Sequence, residues 1–254
     1  AFGSFDKEFD RSWILLEALQ QSGAEISYCH FDLWAGHRHK TNLFPWRWLL
    51  LAGRYLAGLI RITRQFLQKP RCDVLYVGYM GHLDLLFAAL LNRQRRSTLV
   101  FDPCISLYNT LVEDRRIVGE GGLLARIIRR LDVVPCRLAD LVLSDTRSHG
   151  EYFESVLGVP SRKLHRVFVG AGLDWQRARW SPREHAAFEV LFYAKFSPLH
   201  GLPVILDAVE RLKAEPIRFT IVGGGQLEED VRRAVARPRS SALEWIPWLE
   251  RDAL

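Results

Sequence analysis

Residues 190–226 constrain the fold of this 254-residue chain more than any other segment. The segment begins with an apolar run, residues 190–193, and continues into a short loop that holds Lys195 and His200. A helical pattern follows, and a second apolar run, residues 219–222, ends in three glycines. Two apolar runs joined by a helix are typical of a parallel α/β sheet, in which the chain returns to the start of each strand through a helix.

Both strand ends in this segment suit a bound anion. Ligands of open α/β sheets lie outside the carboxyl ends of the strands. Lys195 comes just before a helix N-terminus, where free N–H groups and the helix dipole favour phosphate. His200 adds a positive charge when it is protonated. Gly223 and Gly225 lie in a turn that lets a ligand approach the backbone closely. The pattern predicts a site for a nucleotide diphosphate.

The rest of the chain also alternates between short apolar runs and helical patterns. Strands are predicted at residues 1–6, 25–30, 74–77, 98–101, 141–144 and 166–169, and helices at residues 11–22, 83–91, 122–131, 133–139 and 148–157. Residues 174–189 break this rhythm, because they are polar and include Pro182. We therefore predict two α/β domains with parallel sheets: residues 1–180, a linker at 181–189, and a second domain from residue 190 to residue 254.

This organisation resembles the GT-B glycosyltransferases, and most closely the large retaining family that uses nucleotide-diphosphate sugars (group 1, family 4-like). The second domain of that family opens with a strand, Gly-Arg-Leu, a few residues, Lys-Gly and a helix. This chain has AKF at residues 194–196 and HG at residues 200–201, with the same spacing. The family's next strand typically ends in Gly-x-Gly, which Gly223 and Gly225 match.

The likeness extends over nearly the whole chain, since residues 139–144, 158–160 and 169–174 resemble the end of the family's first domain. It implies two Rossmann-like domains, a first that faces the acceptor and a second that binds the nucleotide sugar. It also implies glycosyl transfer with retention to a polysaccharide, a lipid-linked glycan or a small molecule. Lys195 and His200 replace the family's Arg and Lys, and Lys195 lacks the bidentate fork of arginine.

The resemblance also suggests site residues in the first domain. Gly3 ends the first strand, where the family has a glycine loop facing the cleft. Asp102 follows the strand at 98–101, in a loop where the family often has a polar residue near the reacting sugar; capping of a helix is the alternative. His82 follows the strand at 74–77, and it is either catalytic or a helix cap. No cofactor is expected besides the donor sugar, and no metal, because the cleft loops lack an Asp-x-Asp cluster.

The ends of the chain lead to a further expectation. The sequence opens at Ala1 without a full first strand, and it stops at Leu254 just after a strand-like segment. The family's pair of glutamates, which contacts the donor sugar and ribose, would lie beyond Leu254. We therefore expect a chain truncated at both ends, with an incomplete second domain and no transferase activity by itself.

Two other functions fit the same residues. A non-catalytic nucleotide-sugar-binding protein with a decayed site is favoured by the replacement of Arg and Lys by Lys195 and His200. A GT-B-like nucleotide-sugar epimerase would need its own acids and histidines beyond residue 254.

A basic segment points to a further partner. The chain has a net charge of +6, yet no Asp or Glu lies between Leu33 and Cys72, where Lys and Arg are frequent. Arg47, Arg54 and Arg61 recur every seven residues, on one side of a predicted helix. With nearby tryptophans, this side suits an anionic membrane surface; the alternative is a helix packed on its own domain with solvated arginines.

The motifs and the cysteines indicate which partners and which cellular compartment to expect. No helix-turn-helix or RNA-binding signature accompanies the basic segment, so nucleic acid is not an expected partner. The four cysteines are too widely spaced for a zinc knuckle or a redox pair, which fits reduced thiols in the cytoplasm. The expected location is cytoplasmic, with peripheral association at the inner membrane face.

Overall fold

The computed structural model describes residues 1–5, 10–33, 45–170, 188–237 and 243–249, with the backbone alone at residues 10 and 45–49. The chain divides into two compact units. Unit 1 comprises Ala1–Val112 and Val118–Ala178, and unit 2 comprises Glu113–Ile117 and Arg179–Leu254. Most of the predicted linker, residues 181–187, lies outside the described residues. The first strand of unit 2 begins at Phe188, inside the segment that the sequence assigned to the linker.

The described residues of unit 1 form six parallel strands. Two of them form a pair, β1 (Phe2–Gly3) and β2 (Cys29–His30). The other four form a sheet in the order of the sequence: β3 (Val74–Val77), β4 (Thr98–Cys104), β5 (Leu141–Ser144) and β6 (Leu164–Arg166). The strand predicted at residues 25–30 is reduced to β2, and the strand predicted at 166–169 ends earlier, at Arg166.

In the part of the chain that the structure describes, these strands are connected by α1 (Asp10–Gln21), α2 (Pro45–Gln68), α3 (His82–Arg95), α4 (Leu123–Leu138) and α5 (Arg147–Ser155). The crossovers from β3 to β6 all step in one direction along the sheet, so their right-handedness places α3, α4 and α5 on the same face. Helix α4 is continuous where the sequence predicted two helices, because its buried face continues past Pro135 to Cys136.

The core of unit 1 lies between its strands and helices. Its largest fully buried side chains include Phe2 and Phe101 from strands and Ile62 and Phe153 from helices. The Phe2 ring packs edge-on against Phe66 of α2, with centroids 5.8 Å apart. This packing fixes α2 to the first strand, and the carboxyl end of β1 is thereby held beside the helices.

The described residues of unit 2 form a three-stranded parallel sheet in the order β7 (Phe188–Tyr193), β8 (Ile217–Val222) and β9 (Leu243–Ile246). A 3₁₀ turn (Pro198–His200) leads into α6 (Leu202–Arg211), and α7 (Glu228–Val235) follows β8. The side chains of Phe196 and Leu202 are buried in its core. The predicted fold class, parallel α/β sheets flanked by helices, is confirmed in both units.

Candidate functional site

The loop after β7 folds back on its own backbone. Lys195 lies in this loop and is exposed. Its carbonyl oxygen accepts a hydrogen bond from the Ser197 N–H at 2.7 Å, and it also contacts Nδ1 of His200. Since a carbonyl oxygen only accepts, the contact places the proton on Nδ1. The backbone of Lys195 therefore selects the tautomer of His200 and leaves Nε2 as the nitrogen that a ligand can engage.

The glycine turn after β8 is packed directly against this loop. A Cβ on Gly223 would lie 1.9 Å from the carbonyl oxygen of Ala194, and one on Gly225 would lie 2.9 Å from that of Phe196. Both glycines have positive φ, 138° and 148°. The Phe196 N–H donates to the Gly224 carbonyl at 3.0 Å. Contact between two backbone segments thus accounts for the glycines, and ligand contact by Gly223 and Gly225 stays a prediction.

The helix termini near this loop are less favourable to an anion than the sequence suggested. In the first turn of α6, Pro203 has no N–H, and the N–H groups of Val204 and Ile205 donate to the Gly201 carbonyl. The first turn of α7 carries three acidic residues, Glu228, Glu229 and Asp230. Both effects reduce the attraction of the helix termini for phosphate. The case for an anion at this edge therefore rests on the side chains of Lys195 and His200.

Gly3 lies against a buried carboxylate in unit 1. A Cβ on Gly3 would come within 2.6 Å of Oδ2 of Asp84, and the glycine has φ 124°. The same oxygen accepts hydrogen bonds from the N–H of Ser4 at 2.7 Å and from its Oγ at 2.8 Å. The hydroxyl of Tyr55 donates to Oδ1 at 2.8 Å. Asp84 thereby ties the end of β1 to α2 and α3, and this contact explains why a glycine occupies position 3.

The burial of Asp84 should make the stability of the protein depend on pH. Burial raises the pKa of this carboxyl group, and the hydrogen bonds from Ser4 and Tyr55 oppose the effect. A raised pKa in the folded state means that its stabilising effect is complete below the unfolded value and is lost as pH rises through the folded value. We expect the wild type to gain stability relative to Asp84→Asn between neutral pH and about pH 4. Urea unfolding of both proteins across this range measures the difference, and a constant difference would contradict the assignment.

His82 is buried between two helices. It is the first residue of α3, and the N-cap position is occupied by Gly81, so the capping alternative is wrong. Its Nε2 contacts Oδ1 of Asp132 at 3.0 Å, and the residue is only 3% exposed. Asp132 also accepts hydrogen bonds from the Oγ of Ser106 and from the N–H groups of Leu107 and Tyr108. This geometry favours a role in joining α3 to α4 over contact with a sugar.

Asp102 lies inside β4, and the expectation that it follows the strand or caps a helix is wrong. Its carboxylate accepts hydrogen bonds from Nε of Arg11 at 2.8 and 3.0 Å and from the Tyr76 hydroxyl at 3.0 Å. Arg11 also donates through Nη1 to the carbonyl of Val167 at 2.6 Å. Arg11 is 2% exposed and Asp102 is fully buried. These contacts favour a structural role for Asp102, and its catalytic role stays a prediction that the burial argues against.

The sequence analysis missed a more accessible pair at the carboxyl end of β5. Oδ1 of Asp145 contacts Nδ1 of His149 at 2.5 Å, and both side chains are partly exposed. Thr146 caps α5 between them by accepting a hydrogen bond from the His149 N–H. The signal was present, because an acid followed four residues later by a histidine after a predicted strand places both at the ligand-binding edge of a sheet.

The described residues contain no group of three or more His, Cys, Asp or Glu side chains with the geometry to hold a metal ion. None of the helices that the structure describes combines the length and the apolar character needed to cross a bilayer.

Solved glycosyltransferases share this fold at low sequence identity. HepE of Anabaena, solved with UDP and also with UDP-glucose, is 14% identical with a TM-score of 0.57 in the UDP complex, over 93% of this chain and 59% of its own. WaaB, a lipopolysaccharide outer core galactosyltransferase, is 13% identical with a TM-score of 0.56, over 98% of this chain and 66% of its own. A glycosyltransferase from Rickettsia africae is 10% identical with a TM-score of 0.54, over 93% and 58%.

These neighbours have the GT-B fold, so the chain has the fold that the sequence predicted. It spans about three fifths of the length of HepE. No protein-family model and no curated protein matches the sequence.

Proposed function

We propose that the protein transfers a sugar from a nucleotide-diphosphate donor to a glycan acceptor, free or lipid-linked, with retention of the anomeric configuration. The observation that carries the proposal is the edge of unit 2, where exposed Lys195 and His200 lie in one loop beside the glycine turn. The fold shared with UDP-binding HepE supports a nucleotide diphosphate as the ligand of this edge. Unit 1 would then contact the acceptor, and residues near 181–189 would join the two domains.

The chemistry requires positive charge where the leaving diphosphate gains negative charge. A cation that is already in position stabilises the transition state without reorganisation. Such electrostatic stabilisation is usually the largest single contribution to catalysis. Lys195 supplies a permanent charge. His200 supplies one when it is protonated at Nε2, since its Nδ1 proton is held by the Lys195 carbonyl. Both groups therefore act on the leaving group in this mechanism, and neither needs to contact the acceptor.

Replacing Lys195 with alanine should weaken binding of a nucleoside diphosphate. One charge-assisted hydrogen bond contributes about 1.5–3 kcal/mol, so the affinity should fall roughly 10- to 150-fold. Isothermal titration calorimetry of the full-length protein with UDP, GDP and ADP measures the effect and identifies the base.

The matched control for this change is Lys213→Ala. Lys213 is an exposed lysine of the same unit that pairs with Glu210 on α6, so its loss should leave the affinity within about twofold. The His200→Ala variant should also lose affinity, because the ring can donate a hydrogen bond from Nε2 to a phosphate oxygen. If Lys195→Ala binds the nucleoside diphosphate with unchanged affinity, the loop that holds Lys195 is not part of the binding site.

The stereochemistry of transfer and the identity of the acceptor are tested by measuring turnover. We expect the full-length protein to transfer sugar from one UDP-, GDP- or ADP-sugar to a glycan, and NMR of the new anomeric signal should match the configuration of the donor. Inversion would contradict the proposed mechanism, although it would leave donor binding intact.

A non-catalytic binding protein is the second candidate. The acidic first turn of α7 and the burial of His82 and Asp102 favour it, because they remove expected ligand contacts from both units. In that case calorimetry would detect the nucleotide sugar, whereas prolonged incubation with any donor would give neither transfer nor hydrolysis.

A further inference from the structure

Helix α4 has an unusual exposed side. Every exposed residue on it is either a large aliphatic residue or an arginine: Leu123, Leu124, Arg126, Ile127, Arg129, Arg130, Val134, Arg137 and Leu138. Leu123 is 74% exposed and Leu124 is 54% exposed. The one acid of the helix, Asp132, is fully buried and bonded to His82. The surface of α4 is therefore apolar and cationic at once, with no negative charge of its own.

The same pattern continues on α2 and α3. The exposed residues of α3 are Leu83, Phe87, Leu90, Arg93 and Gln94. The large and charged exposed residues of α2 are Leu50, Arg54, Leu56, Ile60, Arg61, Arg64 and Leu67. Neither helix exposes an acid along its described residues. Three other helices differ: α5 exposes Glu151 and Glu154, α6 exposes Asp207, and α7 exposes Glu229.

The three helices form a continuous layer. Tyr55 of α2 donates to Asp84 of α3, and the guanidinium of Arg95 on α3 lies 4.3 Å from the ring centroid of Phe66 on α2. Helix α3 packs beside α4, and His82 bonds Asp132 across that contact. The layer of α2, α3 and α4 is here called the basic face.

Among the described residues, no arginine of the basic face forms an ion pair with a carboxylate. In contrast, Arg232 and Arg233 of α7 pair with Glu228 and Asp230 on their own helix. Some arginines of the basic face donate to backbone carbonyl oxygens, as Arg54 and Arg129 do, but those bonds leave the positive charge in place. The charge among exposed aliphatic side chains therefore suits an external anion.

We propose that the basic face docks on an anionic membrane surface. Aliphatic side chains can enter the boundary between headgroups and acyl chains, while arginines remain among the lipid phosphates. Nucleic acid would satisfy the arginines and leave the aliphatic groups in water. A second copy of the chain would bring like charges together across the same face. A lipid surface accommodates both the arginines and the aliphatic side chains of the basic face. The membrane contact expected from the sequence for α2 is thereby extended to α3 and α4.

Co-sedimentation with vesicles tests the proposal. The full-length protein should bind vesicles of phosphatidylcholine mixed with phosphatidylglycerol, and bind phosphatidylcholine alone much more weakly. Binding should fall between 0.1 M and 1 M salt, because the Debye length shrinks from about 10 Å to about 3 Å. Arg126→Gln with Arg130→Gln should lower the partition coefficient roughly 30-fold, since each arginine contributes about fivefold.

The matched control removes the same charge elsewhere. Arg232→Gln with Arg233→Gln on α7 should change the partition coefficient less than about twofold, because those arginines already pair with acids. Leu124→Ser with Ile127→Ser should reduce the binding that persists at high salt. Circular dichroism melting checks that each variant is folded. Equal binding to both vesicle types, no binding, equal loss in the control, or capture by RNA or polyglutamate in place of vesicles would each overturn the proposal.

Discussion

Replacing Asp102 with alanine should lower the free energy of unfolding of unit 1 by about 3–5 kcal/mol. The change leaves the Arg11 guanidinium buried at 2% exposure without its carboxylate partner. It also removes the acceptor of the Tyr76 hydroxyl. An uncompensated charge in a dry interior costs far more than the pair contributes when it is intact. Urea unfolding followed by circular dichroism measures the loss.

Two comparisons separate a structural role from a catalytic one. Removing both charges, Arg11→Met with Asp102→Leu, should recover most of the stability, because no unpaired ion remains. Asp207→Ala breaks an exposed pair with Arg211 and should cost less than about 1 kcal/mol. If Asp102→Ala is stable and binds the donor normally but no longer transfers sugar, Asp102 would instead contact the acceptor substrate.

Replacing Gly223 with alanine should destabilise unit 2 and abolish nucleotide binding together. The new Cβ would lie 1.9 Å from the Ala194 carbonyl, so the two backbone segments must separate. Backbone strain at φ 138° and overpacking each cost about 1–3 kcal/mol, which gives a loss of roughly 2–6 kcal/mol. Because the Ala194 segment leads directly into Lys195, the cationic loop should move with it.

Gly201→Ala is the control in the same loop. Gly201 also has positive φ, 67°, but a Cβ there would meet nothing within 4 Å. Its replacement should therefore cost only the strain, about 1 kcal/mol. If both variants lose the same stability, the steric account of Gly223 is incorrect. If Gly223→Ala remains fully stable but fails to bind UDP, close approach of a ligand would explain the glycine instead.

The alternation of apolar runs with helices was sufficient to predict the fold class. Short runs such as the one in β8 can bury both faces only within a sheet covered by helices, and this follows from local sequence. The loop with Lys195 was predicted for the same reason, because its place between a strand and a helix is fixed by sequence order. The seven-residue spacing of arginines on α2 likewise indicated one exposed side.

Contacts between distant parts of the chain could not be predicted in this way. Asp102 and His82 follow or lie in strands, as ligand-binding residues do, yet Arg11 and Asp132 hold them inside unit 1. Their partners lie 91 and 50 residues away in sequence. A weak signal existed for Asp132, the one acid on the apolar side of α4, since an acid there needs buried donors.

The sequence by itself determined where strands, helices and turns lie, because hydrophobic periodicity and glycine act over neighbouring residues. The tertiary structure decided which polar residues remain accessible. Gly3 and Gly223 were identified as special from sequence, but only the packing shows that Asp84 and Ala194 occupy the space beside them. Burial, ion pairing and the layer formed by α2, α3 and α4 depend on which segments meet in space, and a linear pattern does not encode that pairing.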